Sequence, residues 1–133
     1  MKYSFLILIA SLLAISACKK SDKNDDEDNE VTVLFTDVTT GLEIDDPAGF
    51  LYTVRWDAEN GVHDVYTYLH PVGDETNRLV DFTDHPHVNG LLQAFPVDLS
   101  AFNSDDCFKI RAGGCGNDDC TTATWKEIEV CIK

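Results

Sequence analysis

His85-Pro86-His87 places two imidazoles one residue apart, with Asp81 and Asp84 just upstream and His63 and His70 earlier in the chain. Imidazole is the commonest metal ligand, and a site needs three or four converging groups. The proline favours extended backbone, which points the rings of His85 and His87 to one side. The plainer reading is four histidines on an acidic, loop-rich surface. Acid pairs offer a different metal chemistry, because calcium takes carboxylate and carbonyl oxygens. The best placed are Asp45 and Asp46, or Asp118 and Asp119, although no twelve-residue calcium loop closing on Glu is present. No carboxylate stands out as a general acid. No Gly-x-Ser-x-Gly elbow exists for nucleophilic catalysis. The expectation is therefore a non-enzymatic protein without a cofactor. A calcium- or other metal-binding module, or a small metal-dependent enzyme, is the alternative.

Binding without catalysis has its own candidates. Residues 113–122 form a glycine-rich tip bearing acids and cysteines, followed by Trp125, and loops at the ends of β-structures commonly carry recognition. Tyr66, Tyr68 and Trp125 offer stacking surfaces for a sugar ring or a protein partner. Equally, the tyrosines could be core and Trp125 could cover a sheet face.

Two segments near the C-terminus alternate with period two. Phe108, Ile110 and Ala112 lie opposite Cys107, Lys109 and Arg111; Ile128, Val130 and Ile132 lie opposite Glu127, Glu129 and Cys131. Gly113, Gly114, Gly116 and Asn117 between them are turn residues, so the pair reads as a hairpin. If Arg111 faces Glu127, then Lys109 faces Glu129 and Cys107 faces Cys131, while Ile110 meets Ile128 and Phe108 meets Val130. Charges, apolar pairs and cysteines agree in that register, and a one-residue slip would invert a face. This predicts a Cys107–Cys131 bridge on the solvent side, with Cys115–Cys120 stapling the loop. Gaps between the four cysteines do not resemble paired zinc knuckles.

Upstream, residues 31–38 read as a first strand. Phe50, Tyr52, Val54 and Trp56 alternate against Leu51, Thr53, Arg55 and Asp57, so their face should be core. Glu59-Asn60-Gly61 reads as a turn, residues 65–70 as a strand, and 78–82 and 90–95 as weaker strands. No stretch after the N-terminal segment has a helical period. Short strands with frequent turns predict an all-β protein, an antiparallel β-sandwich with a disulfide-stapled C-terminal hairpin. The element order resembles a fibronectin type III or related immunoglobulin-like module over residues 31–133. The resemblance is carried by Trp56, by Tyr66 and Tyr68, and by Phe108-Lys109-Ile110-Arg111-Ala112. It departs where a corner tyrosine would fall near Asp106 and where a bridge between sheets would stand.

The chain's 133 residues carry a formal charge of −14. Residues 31–133 hold 18 acidic against 6 basic side chains, hence −12. Nucleic acid is excluded as an expected partner, since that affinity depends on Lys and Arg neutralising phosphates. The charge itself serves solubility.

The N-terminal segment explains where such a domain would work. Lys2 precedes an apolar run over residues 5–15, about 11 residues, or ~16 Å as a helix and too short to cross a bilayer. It reads as a signal peptide. Ile15-Ser16-Ala17-Cys18 resembles the lipobox of bacterial lipoproteins, which implies cleavage after residue 17 and diacylglyceryl attachment to the Cys18 sulfur. Residues 18–30 then form the lipidated cysteine and an acidic tether with no apolar side chain, unable to offset the entropy of folding. Acidic residues soon after the cysteine resemble the surface-export signals of Bacteroidota lipoproteins, although Lys19 and Lys20 intervene. The resemblance implies membrane attachment through lipid on the cell surface, with a periplasm-facing anchor as the alternative. The role it suggests is adhesion, ligand capture or an accessory part in a complex; a purely structural envelope subunit is the remaining possibility.

Overall fold

Phe50, Tyr52, Val54 and Trp56 are all buried, and the alternation that placed them inward organises one wall of the protein. In the computed structural model the described residues are 29–120 and 122–133; the segment expected as a signal peptide, Cys18 and the expected tether through residue 28 lie outside them. The strands are β1 (Thr32–Phe35), β2 (Leu42–Ile44), β3 (Phe50–Val62), β4 (Asp64–Pro71), β5 (Val80–Asp84), β6 (Val88–Val97), β7 (Cys107–Cys115) and β8 (Thr124–Ile132). They form two sheets, β1-β3-β6 and β2-β8-β7-β4-β5. The two inner faces pack as a β-sandwich around Tyr52, Trp56, Leu69, Leu99, Phe108 and Ile110. Among the described residues no helix is long and apolar enough to cross a membrane.

The C-terminal hairpin has the register its side chains predict. Arg111 pairs with Glu127, Lys109 with Glu129, Ile110 with Ile128, Phe108 with Val130 and Cys107 with Cys131. Both disulfides, Cys107–Cys131 and Cys115–Cys120, are formed. One detail differs: Lys109 reaches diagonally to Glu127 at 3.3 Å, so Glu127 serves both Lys109 and Arg111, the latter at 3.4 Å.

Three expectations need correction. The first strand, expected over 31–38, is the shorter β1, which pairs with β3, and an unexpected strand β2 lies parallel to β8, so the sandwich is not wholly antiparallel. Gly41, at φ 83°, stands between them and permits the change of sheet. The turn expected at Glu59-Asn60-Gly61 is instead a continuation of β3, with a register irregularity between Asp57 and Val62 where β3 pairs with β6. Gly113 and Gly114 are not loop but strand β7. A Cβ on Gly114 would lie 3.0 Å from the Asp64 carbonyl and 3.2 Å from Trp56, so glycine here serves close packing.

Two polar links tie the sheets through the core. Trp56 Nε1 donates to the Gly113 carbonyl at 2.9 Å. The Tyr52 hydroxyl meets Thr67 Oγ1 at 3.1 Å, and Thr67 donates onward to the Arg111 carbonyl at 2.9 Å. Burial pushes the Tyr52 hydroxyl well above its ordinary pKa, and the Thr67 hydrogen bond offsets this only in part.

Candidate metal centre

His63 is the single residue between β3 and β4, so the chain passes from one sheet to the other within one residue. Its backbone N–H donates to the Cys115 carbonyl at 2.9 Å. Residues 85–87 cross back from β5 to β6 at the same end, because Val65 pairs with Asp84 and Val62 with Val88. The loop after β7 arrives there too, since Asp64 pairs with Cys115. Three connections, β3–β4, β5–β6 and the loop after β7, thus converge, and each brings a titratable side chain.

Asp64 is the centre. It is only 5 % exposed, and a charge so buried requires partners. His63 Nδ1 lies 3.0 Å from Asp64 Oδ2, and His85 Nδ1 contacts Asp64 Oδ1. Burial alone would raise the Asp64 carboxyl; hydrogen bonds and charge from His63 and His85 outweigh it and hold the group below its usual range. His63 Nε2 lies 3.1 Å from Asp118 Oδ1. The His87 ring meets the His63 ring edge-to-face at a centroid distance of 4.4 Å. His87 has φ 48° and is therefore not extended, contrary to the expectation from His-Pro-His, yet both its ring and that of His85 flank His63.

One ligand atom each from His63, Asp64 and His85 lies within 4.8 Å of the others. On a zinc tetrahedron with bonds of ~2.1 Å, ligand atoms stand about 3.4 Å apart, a spacing that the 3.0 Å between His63 Nδ1 and Asp64 Oδ2 approaches. The arrangement around His63 also suits a metal. With Nδ1 as ligand, Nε2–H donates to Asp118, the carboxylate support that orients ligating histidines. His87 or water is available for a fourth position. Two imidazoles and a carboxylate favour zinc and its first-row neighbours over calcium.

The remaining sequence candidates lie elsewhere. His70 is at the far end of β4, about 20 Å along the strand, where its Nδ1 meets the Pro71 carbonyl at 2.9 Å. Asp46 accepts from the Gly49 N–H at 3.2 Å, and Asp45 pairs with Lys133 at 3.4 Å, both at the end of the sandwich opposite the histidines. Asp119 is exposed beside Asp118. Asp81 pairs with Arg78 at 3.3 Å, and Asp84 accepts from the His85 N–H at 2.9 Å. Asp64 was not apparent in the sequence, where it is one acid among many. Its only signal is adjacency to His63 at the start of a strand.

Tyr66, Tyr68 and Trp125 come together on the outer face of the larger sheet. Trp125 stacks on Tyr66 at 5.6 Å and on Tyr68 at 6.0 Å, and Arg78 lies over the Tyr68 ring at 3.8 Å. Trp125 covers Gly113, whose absent side chain leaves room for the indole. The Tyr66 hydroxyl reaches Cys120 Sγ at 3.4 Å, joining this row to the metal-type cluster. Burial, the Asp64 charge and Tyr68 together push the Tyr66 hydroxyl up.

The depression among Asn60, Gly61, His63, His87 and Asp118 holds about 120 Å³, room for an ion and its waters but below the size of typical small-molecule pockets. A larger recess of about 310 Å³ between residues 29–31 and 122–124 has Glu30 as its ionisable group and offers no comparable chemistry. No protein-family model matches the chain, and no curated protein matches it.

Proposed function

We propose that this chain is a lipid-tethered, non-enzymatic binding domain of the cell envelope whose ligand is a divalent transition-metal ion held by His63, Asp64 and His85. The observation that carries the reading is the convergence of two imidazoles on a buried carboxylate, three ligand atoms in all, with Asp118 in place to orient His63. The small, shallow depression supports capture of an ion rather than turnover of an organic substrate. The tether reaches the same end: Asn29 Nδ2 donates to the carbonyls of Gly61 at 2.7 Å and Gly116 at 3.0 Å. The lipobox-like Ile15-Ser16-Ala17-Cys18 supports anchoring through lipid, on the cell surface or facing the periplasm. The strand order, three strands against a sheet whose short first strand runs parallel to its last, supports the immunoglobulin-like resemblance.

A second reading, capture of a glycan through stacking, is favoured by the continuous row Tyr66–Trp125–Tyr68 capped by Arg78. Trp125 remains 40 % exposed, which leaves surface for a sugar ring.

Calorimetric titration of the chelator-treated protein tests the first reading. One Zn²⁺ per chain is expected, with no heat from Ca²⁺. His63→Ala/His85→Ala should weaken Zn²⁺ by more than the ~10–100-fold that loss of an orienting partner alone costs. Unchanged Zn²⁺ binding in that variant, or binding of Ca²⁺ alone, would overturn it. Cys18→Ser should move the protein to the soluble fraction or leave it uncleaved; ordinary membrane retention of a cleaved variant would overturn the tether.

A further inference from the structure

Asp64 belongs to two groups of converging ligand atoms. One is His63, Asp64 and His85; the other is Asp64, Cys115 and Cys120, and within each the atoms lie within 4.8 Å of one another. Cys115 Sγ is 3.3 Å from Asp64 Oδ2. While the two sulfurs are bonded to each other this second group is closed to metal, because the thiolate is the ligand form of cysteine.

We propose that the Cys115–Cys120 disulfide is a redox gate on the metal centre: once reduced, its two thiolates join Asp64, the residue the two groups share, as further ligands to a zinc-type ion. This rests on the metal reading above. Oxidised, the centre has His63, Asp64 and His85 as ligands and keeps one position open to water or His87. Reduced, two thiolates are added beside Asp64, and thiolate ligation is what tightly held structural zinc sites share.

The reductant is an external dithiol. Cys115 is 1 % exposed whereas Cys120 is partly accessible, so attack falls on the Cys120 sulfur. The sulfur–sulfur bond breaks, Cys115 leaves with the electron pair, and a mixed disulfide forms on Cys120. The reductant's second thiol then releases Cys120 and departs as a disulfide. Two electrons and two protons pass from the dithiol to the cysteines. Metal binding then returns the two thiol protons to solvent and forms two metal–sulfur bonds. The Tyr66 hydroxyl, 3.4 Å from Cys120 Sγ, is placed to donate to the bound thiolate.

Linkage supplies a signature that a purely structural bridge lacks. If the dithiol holds the ion more tightly than the disulfide does, the ion must favour reduction by the same factor. The second bridge is an internal control, since Cys107 and Cys131 converge with Glu129 and not with an imidazole.

The test uses the full chain in detergent with Co²⁺ as a spectroscopic probe and Zn²⁺ as competitor. A sulfur-to-cobalt charge-transfer band is expected after dithiol treatment of the wild type and of Cys107→Ser/Cys131→Ser. It should be absent before reduction and absent from reduced Cys115→Ser/Cys120→Ser. In a fixed dithiol buffer, Zn²⁺ should raise the dithiol-to-disulfide ratio of Cys115 and Cys120 by at least about tenfold, within the usual range of coupling between sites. Alkylation mapping of the wild type gives the same answer without a variant: Zn²⁺ should protect reduced Cys115 and Cys120. No band on reduction, a band that survives in Cys115→Ser/Cys120→Ser, or no protection overturns the gate. Oxidised chain that binds Zn²⁺ with affinity unchanged by reduction keeps the metal centre and removes the gate. A band in reduced chain whose oxidised form binds no Zn²⁺ removes the earlier reading and keeps the gate.

Discussion

The Cys107–Cys131 and Cys115–Cys120 bridges belong to one hairpin, yet their surroundings differ. Cys107 and Cys131 stand directly opposite each other in a regular ladder, with Lys109–Glu129 and Phe108–Val130 as the next pairs. Cys115 and Cys120 close a loop beyond the ladder, against the buried Asp64 and the Tyr66 hydroxyl. The first sits among residues whose business is pairing strands. The second sits among residues whose potential ligand atoms converge. A disulfide in a ladder has little besides the fold to influence, whereas one placed among converging ligand atoms would change which of them a metal could reach.

Separating stability from metal binding sharpens this comparison most. The sequence separations are 24 and 5 residues. Loop-closure entropy then assigns about 3.5 kcal/mol to Cys107–Cys131 and about 2 kcal/mol to Cys115–Cys120. Denaturant unfolding should therefore show Cys107→Ser/Cys131→Ser as the less stable variant, with unchanged Zn²⁺ affinity in whatever fraction is folded. Cys115→Ser/Cys120→Ser should be the more stable of the two, but with altered Zn²⁺ binding because the Asp118 loop is no longer held. The opposite order, or equal effects on metal, would erase the distinction.

The same contrast explains what was legible before the structure. The hairpin could be read because three independent kinds of pairing (opposite charges, apolar contacts and cysteines) agree in a single register. The core face of β3 could be read because Phe50, Tyr52, Val54 and Trp56 repeat with period two. His85 and His87 were visible through their spacing, and Tyr66, Tyr68 and Trp125 through their size. Asp64 was not, because its importance comes from where β4 begins relative to the ends of β5 and β7, a long-range relation without a local pattern. Glycine misled for a similar reason. Gly113 and Gly114 have turn chemistry locally, but an indole above one and a neighbouring strand against the other make them strand positions.

Those two glycines give the next largest effect. A Cβ on Gly114 meets the Asp64 backbone carbonyl at 3.0 Å, together with Trp56 and Val31 at 3.2 Å, and a carbonyl in a paired strand yields little. Gly114→Ala should cost roughly 1–3 kcal/mol as overpacking and should weaken Zn²⁺ by displacing Asp64. A Cβ on Gly113 meets the Trp125 ring at 2.5 Å, but that ring is half exposed and can swing outward. Gly113→Ala should cost less than Gly114→Ala, leave Zn²⁺ affinity unchanged and shift Trp125 fluorescence. Equal losses of metal affinity in both variants would place the effect in β7 as a whole rather than at Asp64.

The smallest effect is the acid limb of stability in the metal-free protein. Burial opposes ionisation of Asp64, but His63 and His85 together more than compensate, so its folded pKa lies below the unfolded value. Between those two values the unfolded chain binds the extra proton, so stability rises with pH across that interval. The contribution is present above the ordinary aspartate value, about 4, and is lost as pH falls through the lowered folded value. Asp64→Asn removes it. Chemical denaturation in that acid range should therefore show a steeper loss on acidification for the wild type than for Asp64→Asn, with Cys107–Cys131 intact in both. The same variant relieves Tyr66 of one of the influences that raise its hydroxyl, although burial is the larger. Tyr66 should then ionise at a lower pH, read by its ultraviolet absorbance, while Tyr52, buried in the core and bonded to Thr67, should not respond. A parallel acid slope in both proteins would mean that the two imidazoles do no more than offset the burial of Asp64, and the case for this end of the sandwich as a prepared cation site would lose its electrostatic half.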